Sequence, residues 1–336
     1  MKVCVNGYGT IGKRVADAVA MHPKLELVGI SKYTPDNHAK MAERLGYGIY
    51  VPAEKKADFE KKGINIRGTV EEMIKASDIV VDASADGKGG ENRKLYEKLG
   101  KPAIFQGGED DSVGRSFNAR SNFDSVKGEK FIRVVSCNTT SFCRILKPLQ
   151  EKFKIKRVNG FLIRRGADPD DVKGSQINSI DWKANSHHSH DVNTIIDVPM
   201  TSLAFKAPHT LAHVNSLYIH FDGEPSKEEI INVLKAENRV IVAKADSTSQ
   251  IIEVARDLGL KRYDLYMPVM ISNSVMAEGN TVFFSIVVPQ ESVVVAENID
   301  AIVAQGGLMA KEESMRVTEK ILGMDRIKKD VETVLG

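Results

Sequence analysis

Val3-Cys4-Val5-Asn6-Gly7-Tyr8-Gly9-Thr10-Ile11-Gly12 runs from a short β-branched strand, through three glycines, into an Ala/Val-rich helix from Ile11 to about Met21. In this setting GxGxxG has physical meaning. The first glycine, Gly7, permits the tight turn, Gly9 lets a pyrophosphate approach the backbone, and Gly12 allows helix and strand to pack closely. The helix start presents N–H groups and partial positive charge to the phosphates. The stretch predicts a dinucleotide site where the first strand of a parallel sheet turns into its helix.

Outward from this turn, strand and helix signals alternate. Leu25 to Ser31 reads as a strand, and a helix containing Val70, Met73 and Ile74 opens on a Thr69/Glu72 capping box. Ile79 to Ala83 and Ala103 to Gln106 follow as strands around a helix over Glu91 to Leu99. Such βαβ alternation means a doubly wound sheet. From Lys154 the character changes to long strand runs at Lys154 to Arg165, Val214 to Phe221, Arg239 to Ala243 and Asn280 to Val288, with a second capping box at Ser226/Glu229. The fold class is α/β: a Rossmann-type doubly wound parallel sheet plus an α+β catalytic domain with a mixed or antiparallel sheet. The expected division is a dinucleotide-binding domain over 1–137, a catalytic domain over 138–300, and helices over 301–336 that return to the first domain.

The composition frames the function. At 336 residues, 42% hydrophobic and 27% charged, the chain suits two ordinary globular cores. A net charge of +2 on interspersed Lys and Glu offers no basic face for nucleic acid. Three cysteines argue against a disulfide framework, and no apolar run reaches membrane-spanning length, so the expected setting is cytoplasmic.

The chemistry-bearing candidates lie near the domain junction. Ser136-Cys137-Asn138-Thr139-Thr140 places a cysteine between the strand Phe131 to Val135 and a helix carrying Phe142, Ile145, Leu146 and Leu149. A thiol at a helix start ionises more readily and becomes a nucleophile. Cys4 and Cys143, by contrast, read as packing residues. Arg164-Arg165 ends a strand, where adjacent side chains point to opposite faces, so one guanidinium can clamp a phosphate ester. Ser186-His187-His188-Ser189-His190 lacks the partners of a metal site and suits substrate or phosphate contact better. His209, His213 and His220 flank a strand entry, and spacing does not choose among them. At the tip of the second strand, where NAD-selective sites place an acid, the chain reads Ser31-Lys32-Tyr33-Thr34; Lys32 would pair with a 2′-phosphate.

These motifs together resemble archaeal-type (class II) glyceraldehyde-3-phosphate dehydrogenase. The resemblance runs from Asn6 to Ala18 through Phe105-Gln-Gly-Gly-Glu109, Arg133 to Thr140, Arg164-Arg-Gly-Ala-Asp-Pro169 and Ser186-His-His188 to Gln290-Glu-Ser292 and Glu297 to Ala301. It implies Cys137 as nucleophile and His213 as base, because Ala207-Pro-His-Thr-Leu-Ala-His213 is similar to the stretch that ends in the family's catalytic histidine. It implies Ser136, Asn138, Thr139, Thr140, Arg165, His187 and His188 around substrate phosphate and inorganic phosphate. Thr10, Ile11, Gly108 and Asn298 join the glycines of the turn and Lys32 as cofactor contacts, with NADP and NAD both accepted and no metal required. It further implies a homotetramer serving a step shared by glycolysis and gluconeogenesis. The chain departs from the pattern at Asn215, where the family usually has a second histidine, at Pro289, and in a shortened loop at Asp181 to Asn185. A different thioester-forming dehydrogenase, of the aspartate-semialdehyde type, and an inactive NADP-binding regulator are the competing readings.

Overall fold

The computed structural model describes residues 1–85, 87–106, 108–167 and 179–336, and the chain divides into two compact units. Met1–Val135 with Val295–Leu322 form the first, and Ser136–Val294 with Gly323–Gly336 the second. Gly107, Asp168 and Pro169 of the resemblance motifs lie outside the described residues.

In the first unit, strands β1 (Lys2–Asn6), β2 (Glu26–Ser31), β3 (Ile49–Val51), β4 (Gly68–Thr69), β5 (Ile79–Asp82), β6 (Ala103–Gln106), β7 (Arg115–Phe117) and β8 (Phe131–Val134) form one sheet. Its order is β4-β3-β2-β1-β5-β6-β8-β7, and every pairing is parallel. The central strands are buried along their length, so they read as continuous apolar runs. From β1 the chain moves outward to β4, then returns to lay β5 on the other side of β1. That reversal opens a crevice at the carboxyl ends of β1 and β5, where a doubly wound sheet takes its ligand. The helix Gly12–Met21 follows β1, and the helix Val295–Gln305 packs against it and against β6 and β8. The Thr69/Glu72 capping box forms as the sequence predicts.

The second unit carries β9 (Ile155–Arg165), β10 (Asp181–Lys183), β11 (Met200–Ala207), β12 (His213–Phe221), β13 (Ile241–Ala243), β14 (Val269–Ile271), β15 (Met276–Glu278) and β16 (Thr281–Val288). The order is β10-β11-β9-β12-β16-β14-β13 with β15 on β16, and the pairings are mixed: β9 is parallel to β11 and antiparallel to β12. The helix Cys137–Lys152 buries Phe142, Cys143, Ile145, Leu146 and Leu149 on its apolar side. Ser226 and Glu229 close the second capping box.

Three boundaries differ from the sequence reading, the first because the opening unit ends at Val135, so that Ser136 and Cys137 belong to the second unit. Val295–Ala304 is almost wholly buried in the first unit, because Glu297 and Asn298 bond to Ala119 and Gln106 there. The last helix, Met324–Leu335, belongs to the second unit and does not return to the first. Its Lys328 ammonium caps the carbonyls of Lys235, Glu237 and Val240, and the Leu335 carbonyl accepts from the Lys244 N–H. The shortened loop at Asp181 to Asn185 contains β10, an edge strand on β11.

Candidate active site

The glycine turn is built as its spacing predicts. Gly7 has φ +107°, and a Cβ there would lie 2.5 Å from the Ala83 carbonyl oxygen; at Gly12 it would lie 1.8 Å from the Gly7 oxygen. Above Gly9 no atom stands within 4 Å, and the helix Gly12–Met21 has no side-chain cap at Ile11. Space and uncapped N–H groups together fit a pyrophosphate. The turn is held from below: Gly7 N–H donates to Ser31 Oγ at 2.8 Å, Ser31 Oγ donates to Asn6 Oδ1 at 2.7 Å, and Tyr8 N–H donates to the Ser31 carbonyl. Asn6 also donates to Tyr96, whose hydroxyl donates to the buried Asp82. Asn298 is fully buried in the same unit and donates to Gln106 at 2.5 Å; Gly108 is exposed after β6. Glu109 accepts from Gly89 and Gly90 N–H, occupying the start of the helix Lys88–Lys98, so that terminus is capped from within.

Lys32 is not a free cation. Its ammonium lies 2.7 Å from Asp36, the N-cap of the helix Asn37–Arg44, and Lys32 and the Ala39 N–H together hold the Asp36 carboxyl below the usual carboxylate range against the opposing effect of partial burial. An acid thus stands not at the strand tip but four residues past Lys32, at the N-cap of the next helix.

In the second unit Cys137 occupies the first turn of its helix, with Ser136 as N-cap accepting from the Thr139 N–H. The residue keeps partial solvent access, yet burial pushes its thiol up to about 11, against the pull of Arg164, Arg165 and a hydrogen bond from the Asn138 N–H. Desolvation outweighs the helix start and both guanidiniums, so the free chain holds a protonated thiol, contrary to the expected ready ionisation. Arg164 and Arg165 both act on the sulfur although they alternate along β9. The Arg165 guanidinium is buried in an ion pair with Glu291 and also donates to the Thr210 carbonyl, whereas Arg164 is half-buried.

His213 opens β12 and is 3% exposed. Its Nδ1 accepts the Arg165 backbone N–H at 3.0 Å, which places the ring proton on Nε2. Burial, Arg165 and Arg164 hold the imidazole well below its ordinary range. In this tautomer His213 offers a donor where the resemblance implies a base; the base role requires the proton to move to Nδ1 and the Arg165 bond to break. Ala212, just before it, has φ +59°, a left-handed conformation uncommon outside glycine, which sets the entry of β12.

His188 is buried and His187 exposed, their rings stacked at 4.1 Å. Burial first, then His187 and Arg164, push His188 down to about 2, so it is neutral and not a cationic phosphate ligand. Thr139 and Thr140 are fully buried; the Thr139 hydroxyl lies 3.0 Å from that of Ser136. Asn138 is buried too, linked to His188 and Asn215. The second unit thus brings together Cys137, His213, Arg164, Arg165, Glu291 and His188. Glu291 and Asn215 are the residues that reasoning from spacing did not assign; buried polar side chains beside a candidate nucleophile are the signal that would have marked them. Among the described residues no cluster of His, Cys, Asp or Glu suits a metal ion.

Residues 136–263 match the family described as glyceraldehyde 3-phosphate dehydrogenase, C-terminal domain, and residues 1–107 match dihydrodipicolinate reductase, N-terminus. A glyceraldehyde-3-phosphate dehydrogenase of Sulfurisphaera tokodaii is 44% identical over 334 residues, covering 96% of this chain and 97% of its own. The chain belongs to the archaeal-type glyceraldehyde-3-phosphate dehydrogenase family. Family members from Metallosphaera sedula and Sulfolobus acidocaldarius, each 43% identical over 97% and 96% of this chain and over 98% and 97% of their own, carry the same name. Members of this family are nicotinamide-dependent oxidoreductases, and the uncapped glycine turn of the first unit fits that cofactor.

Proposed function

We propose that this family member is a phosphorylating glyceraldehyde-3-phosphate dehydrogenase, converting D-glyceraldehyde 3-phosphate and inorganic phosphate to 1,3-bisphosphoglycerate with NADP or NAD. The observation that carries the reading is Cys137 in the first turn of a helix, in the field of two arginines, one of which fixes His213. Cys137 gives its proton to solvent, to which the residue keeps partial access, and the thiolate adds to the aldehyde carbon to give a hemithioacetal oxyanion. His213 Nε2–H serves as hydrogen-bond donor to that oxygen, with no proton left to remove from it. When bound, the nicotinamide supplies the hydride acceptor. The oxyanion collapses to a Cys137 thioester, which inorganic phosphate cleaves to release the acyl phosphate and the thiolate.

The phosphate groups fall to Arg164 and His187, which keep solvent access, with Arg165 entering by exchange from Glu291 and with Ser136, Asn138, Thr139, Thr140 and His188 shaping the pocket wall. A dianion there offsets the two guanidiniums that depress His213. On the cofactor side, Lys32 meets a 2′-phosphate while Asp36 meets ribose hydroxyls, a pair that suits both nucleotides. A homotetramer is supported by one face of the second sheet, where Phe161, Ile163, Tyr218, Trp182 and Met276 stand exposed. A cytoplasmic setting fits three cysteines without a disulfide; among the described residues no helix is long and apolar enough to cross a membrane.

The test is an assay of purified protein with D-glyceraldehyde 3-phosphate and with aspartate semialdehyde, each with and without phosphate, for the wild type and Cys137→Ser. Phosphate-dependent NADP reduction on the triose alone, abolished in Cys137→Ser, is the expected outcome. Reduction that persists in Cys137→Ser, or nucleotide binding with no turnover, overturns the proposal.

A further inference from the structure

Arg165 ends β9, His213 opens β12 opposite Val288 at the end of β16, and Glu291 follows in the segment after that strand. Three neighbouring strands of the second sheet thus bring residues 165, 213 and 291 to one end of it. There the Arg165 Nη1 donates to two acceptors, the Glu291 carboxylate and the Thr210 carbonyl at 3.3 Å, while the Arg165 backbone N–H holds His213. Among the described residues no carboxylate pairs with Arg164, the preceding residue of the same strand. One carboxylate therefore serves two adjacent guanidiniums, and a positive charge is left over at this end of the sheet.

Stability does not explain the pair, because a buried ion pair adds little that apolar packing of the same volume would not. What Glu291 supplies is a countercharge that lets a guanidinium stay buried in the free protein. The two partners are held unequally. Arg165 is 2% exposed and lies on a strand bonded on both sides, to β11 and to β12. Glu291 is 8% exposed and sits in a turn where the Ser292 and Val293 N–H groups fold back on the Pro289 carbonyl. The carboxylate is the partner nearer to solvent and carried by a loop, so an arriving anion meets it first. A phosphate can take its place on Arg165 without moving the guanidinium, which the Thr210 carbonyl continues to hold.

We infer that Glu291 is the built-in counterion of an anion site: it occupies Arg165 in the free protein, gives way to a phosphate dianion, and by that competition sets how tightly the site takes phosphate. The inference rests on the reading that Arg165 serves a phosphate group, and adds the residue that tunes its affinity. The dianion can be the ester of a sugar phosphate or inorganic phosphate; both carry the same charge and the same acceptor oxygens, and the arms of the test tell them apart.

Calorimetric titration of the whole protein with inorganic phosphate and, separately, with the unreactive ester glycerol 3-phosphate, at constant ionic strength, tests it. In Glu291→Gln the dissociation constant of at least one of the two should fall about tenfold or more, since the anion no longer has to displace a carboxylate. The larger gain names the group that exchanges with Glu291. The gain should vanish in the double variant Glu291→Gln/Arg165→Gln. Binding that is unchanged or weaker in Glu291→Gln means a purely structural pair and overturns the inference; a gain that survives in the double variant is a general effect of charge and overturns it too. Glu291→Gln leaves a buried guanidinium without countercharge and should melt below the wild type, with phosphate raising its melting temperature more than that of the wild type. The wild type itself supplies a check that needs no variant: a crystal soaked in phosphate should show the anion on Arg165 and Glu291 turned away. Phosphate elsewhere with the pair intact, or no phosphate bound, overturns the inference. Turnover of the triose with no gain in Glu291→Gln removes this inference alone, and a gain without turnover removes the proposed activity alone.

Discussion

A cysteine at a helix start and a cysteine in a desolvated pocket carry opposite expectations, and at Cys137 the pocket wins. With the thiol pushed up to about 11, the thiolate fraction near neutral pH is small and grows with alkali. Alkylation of the free protein should therefore rise about tenfold per pH unit from 7 to 10; a plateau already reached at pH 8 would show a thiol ionised by its helix and arginines. Lys32 decides a second question at the same scale. Lys32→Ala should lower kcat/KM for NADP about tenfold, the loss of one phosphate partner, and alter that for NAD less than about threefold. Asp36→Asn keeps an N-cap and removes the competing charge, so it should raise NADP use relative to NAD. Equal effects on both nucleotides would place the 2′ position elsewhere. The lysine was legible from sequence because it follows a predicted strand, whereas Asp36 was not, since its approach to Lys32 depends on an irregular bend over residues 33–36 that no local signature announced.

Elements set these residues in place, and the glycine turn shows how much a single methyl decides. Gly9→Ala has room in the free chain and should fold normally, but the methyl enters the space left for a pyrophosphate, so KM for the nucleotide should rise about tenfold or more. Gly12→Ala drives its Cβ into the Gly7 carbonyl and should unfold the first unit. Thermal melting beside nucleotide titration separates the two, and similar behaviour of both variants would contradict the packing at Gly12. Local sequence announced this element because its three glycines fall within six residues, although the groups that hold and crowd the turn, Ser31 and Ala83, come from elsewhere in the unit. The capping boxes at Thr69/Glu72 and Ser226/Glu229 were readable for the same reason. Ser136 caps the helix of Cys137 without an acid three residues on, where Thr139 stands, so its capping role carried no such signature. The Asn215–Asn138–His188 series was hidden altogether, because its members come from three elements and meet only in the folded unit.

At the scale of the whole molecule, alternating strands and helices made the parallel sheet evident, while the ownership of the closing helices was not. Residues 311–322 and 324–335 have similar amphipathic patterns, and a stripe of apolar positions does not say which surface it covers. Pairing partners decide it, and for the last helix these are Lys244 and the carbonyls around Val240. Burial that no pattern reveals also governs how the protein meets acid. His188 and His213 are kept neutral in the second unit, His188 pushed to about 2 and His213 well below its ordinary range, both chiefly by desolvation; His22 is lowered in the first unit by the same cause. The unfolded chain binds protons at these rings near pH 6.5 and the folded chain does not. Stability therefore rises with pH through that region and falls as pH drops below it. For His188 and His213 the loss is about 1.4 kcal/mol each at pH 5.5, roughly 3 kcal/mol together. Asp222, held near 2 by Lys154 and Lys156, and Asp36, which is lowered, keep their charge across this window and add no opposing slope. Urea unfolding at pH 7.5 and 5.5 should show the loss, and hydrogen exchange should show it more strongly in residues 136–294 than in residues 1–135, because two of the three rings lie there. An unchanged midpoint between the two pH values would mean that these imidazoles take up protons in the folded state, and so are not sealed from solvent.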